Sequence, residues 1–118
     1  MKPKQKDLRM YCITLYNLSP IQQGIQSAHS IVEYNKNCDE AGFALYAEWA
    51  SQHKTIIILN GGTTQTLDQY HKDLEKIGVE VAHFREPDLG DVKTAIAFIV
   101  DMKNDSHVVQ YLKSMRLV

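Results

Sequence analysis

The sequence contains little cysteine and no long apolar run. Two cysteines in 118 residues make no disulfide framework, so we expect a reduced, intracellular protein in the cytoplasm. A membrane-spanning helix needs about 20 consecutive apolar residues, and no such run occurs, so we expect no membrane partner. The first ten residues, MKPKQKDLRM, are charged and lack a following hydrophobic region. They therefore do not resemble a signal peptide.

The sequence also lacks the excess of positive charge that is typical of dedicated nucleic-acid binders. Its formal net charge is −1, whereas such proteins usually carry a basic footprint. The charge is uneven, because residues 1–10 carry +3 and the remainder −4. We interpret residues 1–8 as a basic N-terminal arm and residues 9–118 as a single domain. Such an arm can contact phosphates, but a solvated tail is the more common case.

The composition is that of a globular protein, and its pattern predicts an α/β fold. The hydrophobic share is 44% and the charged share 23%, both ordinary values. Strands are predicted at residues 9–16, 54–60, 79–85 and 93–100. Helices are predicted at 20–34, at 40–52, from Thr63 or Thr64 to Gly78, and from Asn104 or Asp105 onwards.

This β-α-α-β-α-β-β-α order predicts a three-layer α/β/α sandwich around a small mixed sheet. The strand at 54–60 is a continuous apolar run, which predicts a buried strand of parallel type. The last two strands are separated by only about seven residues. A parallel crossover needs a dozen or more residues, so these two strands are expected to be antiparallel.

The first helix carries two stripes of residues. Ser19 suits its N-cap and Pro20 its first position. We expect an apolar stripe to face the core, formed by Ile21, Ile25, Ala28 and Val32. A polar stripe runs beside it, formed by Gln22, Gln26, His29 and Glu33. The second helix is expected to bury one apolar face, formed by Phe43, Tyr46, Ala47 and Ala50.

Three segments are expected to meet beyond the carboxyl ends of the strands, where α/β proteins bind ligands. They are residues 17–22, 60–65 and 86–94. The first two contain helix N-termini, which favour phosphate or carboxylate groups. Gly61, Gly62 and Thr63 have the composition of a phosphate cradle but lack the lysine of a P-loop, so a plain turn is the more common interpretation.

The charged side chains give weaker signals. The five histidines have no spacing that suits a metal, and we expect neither a metal nor a cofactor. His29 and Glu33 are four residues apart on the first helix, more often a chance pair than a catalytic dyad. Glu86 and Asp88 precede Thr94, and an acid beside a threonine can orient a water for hydrolysis. Spacing alone favours a solvated, charged turn.

Taken in order, these motifs resemble the type 2 peptidyl-tRNA hydrolase family over roughly residues 10–100. The segment YNLSPIQQGIQSAHS matches its strand, turn and A-A-Q-x-x-H-A helix, with Gln26 and His29 in matching places. Trp49 followed by KTIIIL matches a tryptophan before a K-I-V strand. FREPDLGDVKTAIAFI matches an acidic loop and a final T-x-x-A-I strand.

The resemblance implies a four-stranded mixed sheet, commonly a homodimer, and hydrolysis of the ester that joins a peptide to the tRNA 3′ end. It implies catalytic positions at Gln22, Gln26, Glu86, Asp88 and Thr94. The ligand-binding candidates of the same site are Asn17, Ser19, His29, Gly61, Gly62 and Thr63. The family's lysine falls on Gln22, and its D-A-G-x-T loop is replaced by residues 86–90 without that threonine.

Two other functions fit the same pattern. One is a non-catalytic binding module for a nucleotide, a phosphate-bearing small molecule or an RNA end. The other is an interaction scaffold or homodimer without a ligand, in which the polar stripe of the first helix would be buried in a subunit contact.

Overall fold

The computed structural model describes residues 5–118, and residues 1–4 of the basic arm lie outside the described residues. The element order is the one predicted. The strands are β1 (Leu8–Thr14), β2 (Thr55–Asn60), β3 (Ala82–Glu86) and β4 (Val92–Asp101). The helices are α1 (Pro20–Asn37), α2 (Glu40–Glu48), α3 (Thr64–Lys76) and α4 (Ser106–Leu112). A π-helical turn, Trp49–His53, follows α2, and a 3₁₀ turn, Pro87–Leu89, follows β3.

The four strands form one mixed sheet in the order β2-β1-β4-β3. The β1–β2 pair is parallel, and the β1–β4 and β3–β4 pairs are antiparallel. Apolar side chains cover both faces of the sheet. One cluster contains Leu8, Met10, Cys12, Tyr34 and Trp49. The other contains Tyr11, Ile13, Leu67, Leu74, Val108 and Leu112. The α/β/α sandwich and its antiparallel last pair are confirmed.

The prediction for the inward face of α1 is wrong. Ile21 is 75% exposed and Val32 is 61% exposed, so the apolar stripe faces outward. The buried residues of α1 are instead Gln26, Ser27, Ser30 and Tyr34. Small residues lie on both sides of the contact between α1 and the sheet. The helix contributes Ser27 and Ser30, and β4 contributes Ala95 and Ala97. The helix can therefore lie close to the sheet, and Gln26 finds buried polar partners there.

Two further predictions about burial are also wrong. Of the predicted face of the second helix, Phe43, Ala47 and Ala50 are exposed, and Tyr46 alone packs inward, against Tyr34 and Trp49. Leu45, which was not predicted to face the core, packs against the same cluster. The apolar strand β2 is parallel to β1 as expected, but it lies at the edge of the sheet and leaves Ile56 half exposed. An edge strand has a neighbour on one side alone, so an apolar sequence does not ensure burial.

A β-bulge interrupts the pairing of β3 with β4. Phe84 pairs with Ala95 and Arg85 with Lys93, so Thr94 is left without a partner in the register. Such an extra residue breaks the usual alternation of side chains. Lys93 therefore reaches α3 on one face of the sheet, whereas Thr94 reaches α1 on the other. Within residues 5–118, no helix is both long and apolar enough to cross a bilayer.

Candidate active site

The candidate site is a cleft of about 430 Å³ between the start of α1 and the turn after β3. The Ser19 side chain caps α1 by accepting a hydrogen bond from the Gln22 N–H at 3.2 Å, and Pro20 begins the helix, as predicted. These local signals fix where α1 begins beside the cleft. The lining residues are Asn17, Leu18, Ser19, Gln22, Ile25, Gln26, Glu86, Asp88 and Leu89.

The buried side chain of Gln26 connects the catalytic candidates. Gln26 is 1% exposed and Thr94 is fully buried. The Thr94 hydroxyl donates to the Gln26 Oε1 at 2.6 Å. The Gln26 Nε2 donates to the Glu86 Oε2 at 2.9 Å and to the Gln22 Oε1 at 3.3 Å. The bond from Thr94 holds the amide oxygen, so the amide nitrogen is directed towards Glu86 and Gln22.

Glu86 is held in its ionised form. The hydrogen bond from Gln26 lowers the pKa of this carboxyl below its ordinary value, and the Asp88 backbone N–H lowers it further. That N–H lies 3.3 Å from the Glu86 Oε1. Donors that face a carboxylate stabilise its charged form. The cleft therefore contains a fixed carboxylate that stays ionised and can accept a hydrogen bond from a water.

Other predicted residues lie at the edge of this site or outside it. His29 follows Gln26 on α1, and its ring stacks on Phe84 with centroids 4.3 Å apart. It does not line the cleft. Its supposed partner Glu33 accepts a hydrogen bond from Asn37 at 2.8 Å instead, which fits a chance pair.

The glycine-rich turn also lies outside the cleft lining. The Gly61 N–H donates to the Thr14 carbonyl at 2.6 Å, and the Thr63 side chain caps α3. A Cβ atom on Gly61 would lie 2.8 Å from that carbonyl oxygen, so close packing accounts for this glycine. The geometry favours the plain turn. Asn17 and Ser19, by contrast, lie at the rim of the cleft.

A second polar cluster, formed by Lys93, Asp68 and His71, was not predicted from the sequence. The Lys93 Nζ lies 2.6 Å from the Asp68 Oδ1 and 2.8 Å from the His71 Nδ1, on the α3 side of the sheet. Burial, and then the nearby Lys93, lower the pKa of His71. Lys93 also lines a separate cleft of about 380 Å³. The orientation of Lys93 depends on the bulge, for which the sequence gives no clear signal.

Residues 16–118 match the family described as peptidyl-tRNA hydrolase PTH2. A search among curated proteins found no match. The family match includes the cleft, its hydrogen-bonded side chains and most of the sheet. The chain therefore belongs to the peptidyl-tRNA hydrolase PTH2 family.

Proposed function

We propose that this protein is a divergent peptidyl-tRNA hydrolase, which hydrolyses the ester between a peptide and the tRNA 3′ end. The observation that carries the proposal is the hydrogen-bonded row of Glu86, Gln26 and Thr94 beside an open cleft. Membership of the family indicates the reaction, and the hydrogen-bonded row contains side chains that are suited to ester hydrolysis.

Glu86 is the proposed base. Its carboxylate holds a water, which attacks the ester carbonyl carbon while the carboxylate accepts a proton. The tetrahedral intermediate then breaks the bond to the 3′ oxygen, which leaves with that proton. The products are the peptide acid and a tRNA with a free 3′ hydroxyl. A positioned general base contributes about 10²–10⁴-fold to such reactions. Asp88 is the alternative acid in the same turn.

Gln22 is the proposed oxyanion donor. Its Oε1 is held by Gln26, and its amide nitrogen donates to no group in residues 5–118. That nitrogen is therefore available to stabilise the charge that develops on the carbonyl oxygen. The donor is neutral, whereas the resemblance places a lysine here. Loss of a whole oxyanion donor costs about 10²–10³-fold in rate. Replacing a cation with a neutral donor should cost less than that, so we expect slower turnover than with the lysine.

Gln26 and Thr94 act as positioning residues in this proposal, because they orient Glu86 and Gln22 from a buried location. Asn17 and Ser19 lie where the end of the substrate would enter. The basic arm would contact the tRNA backbone, although its Lys6 already pairs with Glu48 at 3.2 Å. We further propose a cytoplasmic location.

The exposed stripe of α1 supports a homodimer. Ile21, Ile25, Ala28 and Val32 form an apolar row that faces away from the core. Monomers rarely expose large contiguous apolar patches. Sedimentation of the wild type and of Val32→Lys tests this proposal. A dimer that the substitution dissociates supports it, and a monomeric wild type rejects it.

A non-catalytic binding module is the second candidate, and the neutral Gln22 favours it. Thermal unfolding with a panel of nucleotides and tRNA-end analogues tests this function. A ligand at about 100 times its Kd stabilises the fold by roughly 2.7 kcal/mol, and no shift across the panel rejects it.

Incubation with a defined peptidyl-tRNA tests the enzymatic proposal directly. Free tRNA should be released above the buffer rate, and Gln22→Lys should raise that rate by restoring a cation. An active member of the family serves as the positive control. If neither the wild type nor Gln22→Lys exceeds the buffer rate while the control turns over, the enzymatic proposal is wrong.

A further inference from the structure

A cavity beside Tyr34 (the Tyr34 cavity) lies at the opposite end of α1 from the candidate active cleft. Its volume is about 320 Å³, at the lower end of the range for small-molecule sites. It is bounded by the end of α1, the start of α2, the segment after α3, β4 and the start of α4. Tyr34 follows Gln22 by about 18 Å along the helix, and the two sites share no lining residue.

The walls of the Tyr34 cavity are apolar. Ile99 of β4 and Val108 at the start of α4 are buried, and Leu45 and Val79 are partly buried beside them. Aliphatic groups gain free energy when they leave water for such a surface. The cavity therefore suits a ligand that has an aliphatic chain.

Tyr34 brings an unpaired polar group to these walls. The residue is 2% exposed, yet its hydroxyl makes no hydrogen bond to any group in residues 5–118. The hydroxyl is not sealed in the core, unlike the unpaired hydroxyls of Thr14 and Ser27, so its small accessible area opens into the cavity that Tyr34 lines. Burial, and then the nearby charge of Glu80, raise the pKa of this hydroxyl. A polar group in such a place is costly unless it finds a partner, so it favours a ligand that forms hydrogen bonds.

Three exposed carboxylates lie at the edge of the cavity, and among residues 5–118 no lysine, arginine or histidine lines it. The Glu80 Oε2 accepts a hydrogen bond from the Asp39 N–H at 3.2 Å, and the Asp39 Oδ1 accepts one from the Gly42 N–H at 2.8 Å. The Asp105 Oδ2 accepts one from the Asp101 N–H at 2.8 Å. The second oxygen of each carboxylate accepts none within residues 5–118. Three free acceptors of one charge attract a cation.

The carboxylates are too widely spaced for a metal ion. In the part of the chain that the structure describes, no three histidine, cysteine, aspartate or glutamate side chains are grouped so that they could hold one. Asp39 precedes α2 and Asp105 precedes α4, so the charges belong to different walls. An anion is disfavoured, because Asp39 already caps the N-terminus of α2. Separated carboxylates joined by apolar walls instead fit a cation whose charges are separated by methylene groups.

From this arrangement we propose that the Tyr34 cavity binds a linear aliphatic diamine or polyamine in its ammonium form. One ammonium donates to the Tyr34 oxygen and to the free oxygens of Glu80 and Asp39, since an ammonium group has three donors. The methylene chain packs against the apolar walls, and a second ammonium pairs with Asp105. This site is separate from the hydrolase cleft, so the inference does not depend on the proposed function.

Calorimetry at neutral pH with 1,5-diaminopentane and with spermidine tests the proposal. Both should bind, and n-pentylamine, which has a single ammonium, should bind about twofold to fivefold more weakly than the diamine, because exposed ion pairs are individually weak. 1,5-Pentanediol has the same chain without charge and should not bind. Binding of the diamine should weaken in about 1 M salt, where charges are screened within roughly 3 Å.

Two variants with matched controls test the assignment to this cavity. Tyr34→Phe should weaken binding of the diamine about threefold to tenfold, the loss typical of one hydrogen bond. Glu80→Gln should weaken it about twofold to fivefold, because this carboxylate is exposed. Tyr46→Phe and Glu40→Gln remove the same chemical groups from neighbouring residues that do not line the cavity, and both should bind the diamine like the wild type.

Three results would overturn the proposal. The first is no binding of either amine by the wild type. The second is equal weakening in Glu80→Gln and Glu40→Gln, which would show a general attraction to the negative surface. The third is a folded Tyr34→Phe protein that binds the diamine as tightly as the wild type. Far-UV circular dichroism reports whether Tyr34→Phe is folded, and if it is not, the comparison of Glu80→Gln with Glu40→Gln decides alone. Release of tRNA is not measured here, so a negative result leaves the hydrolase proposal standing.

Discussion

Removal of the contact between Thr94 and Gln26 should destabilise the fold and weaken the site together. The two side chains are buried, and their hydrogen bond is 2.6 Å long. Gln26→Met keeps the shape of the side chain but leaves the Thr94 hydroxyl without an acceptor. Thr94→Val leaves the Gln26 oxygen without a donor. A buried polar group that loses its partner costs about 1–3 kcal/mol, so each single variant should lose roughly that much stability.

The double variant distinguishes the hydrogen bond from simple packing. It removes both partners, so it should be less destabilised than the sum of the single variants by about 0.5–3 kcal/mol. Urea unfolding gives these free energies, and each kcal/mol corresponds to roughly 3–6 °C in Tm for a chain of this size. Gln23→Met on the same helix is the control, since this side chain makes no hydrogen bond in residues 5–118 and should change stability little.

The same substitution should alter the pH dependence of hydrolysis. The Gln26 amide is the main cause of the lowered Glu86 pKa, so Gln26→Met should move the acidic limb of the rate profile to higher pH. Two results would refute the proposed role of Gln26. One is a double variant whose loss of stability equals the sum of the losses of the single variants. The other is an acidic limb of the rate profile that does not move in Gln26→Met.

The remaining predictions concern other parts of the fold. Lys93→Met should reduce the free energy of unfolding by about 1 kcal/mol, because Lys93 is nearly buried but its partner Asp68 is half exposed. The same substitution should raise the His71 pKa in an NMR titration. An unchanged pKa would contradict the contact between Lys93 and His71. Ser19→Ala removes the α1 cap and should cost about 0.5–2 kcal/mol in urea unfolding. Burial raises the pKa of Cys12 to about 12. Iodoacetamide should therefore label the native protein at the partly exposed Cys38 and leave Cys12 unmodified, as measured by mass spectrometry.

Local signals were sufficient for the order of the elements. Ser19, Asp39 and Thr63 cap the three longest helices, because each is a short polar side chain just before a periodic apolar segment. The short connection between β3 and β4 likewise fixed their antiparallel pairing. These features depend on neighbours in sequence, so the sequence alone was enough to predict them.

Features that depend on tertiary contacts were missed. The orientation of α1 depends on where Gln26 finds partners on β3 and β4, and its apolar periodicity predicted the wrong face. The exposure of Ile56 follows from the position of β2 at the sheet edge, which composition does not reveal. The bulge at Thr94 has no sequence signal of its own, yet it directs this hydroxyl to Gln26.

The most direct test of the proposed site is the rate of tRNA release from a peptidyl-tRNA by the wild type, Glu86→Gln and Asp91→Asn at neutral pH. Glu86→Gln keeps the size of the side chain but removes the base, so its rate should fall by about 10²–10⁴-fold, while Asp91→Asn should retain the wild-type rate. A Glu86→Gln protein that releases tRNA as fast as the wild type would contradict the assignment of Glu86 as the group that activates water.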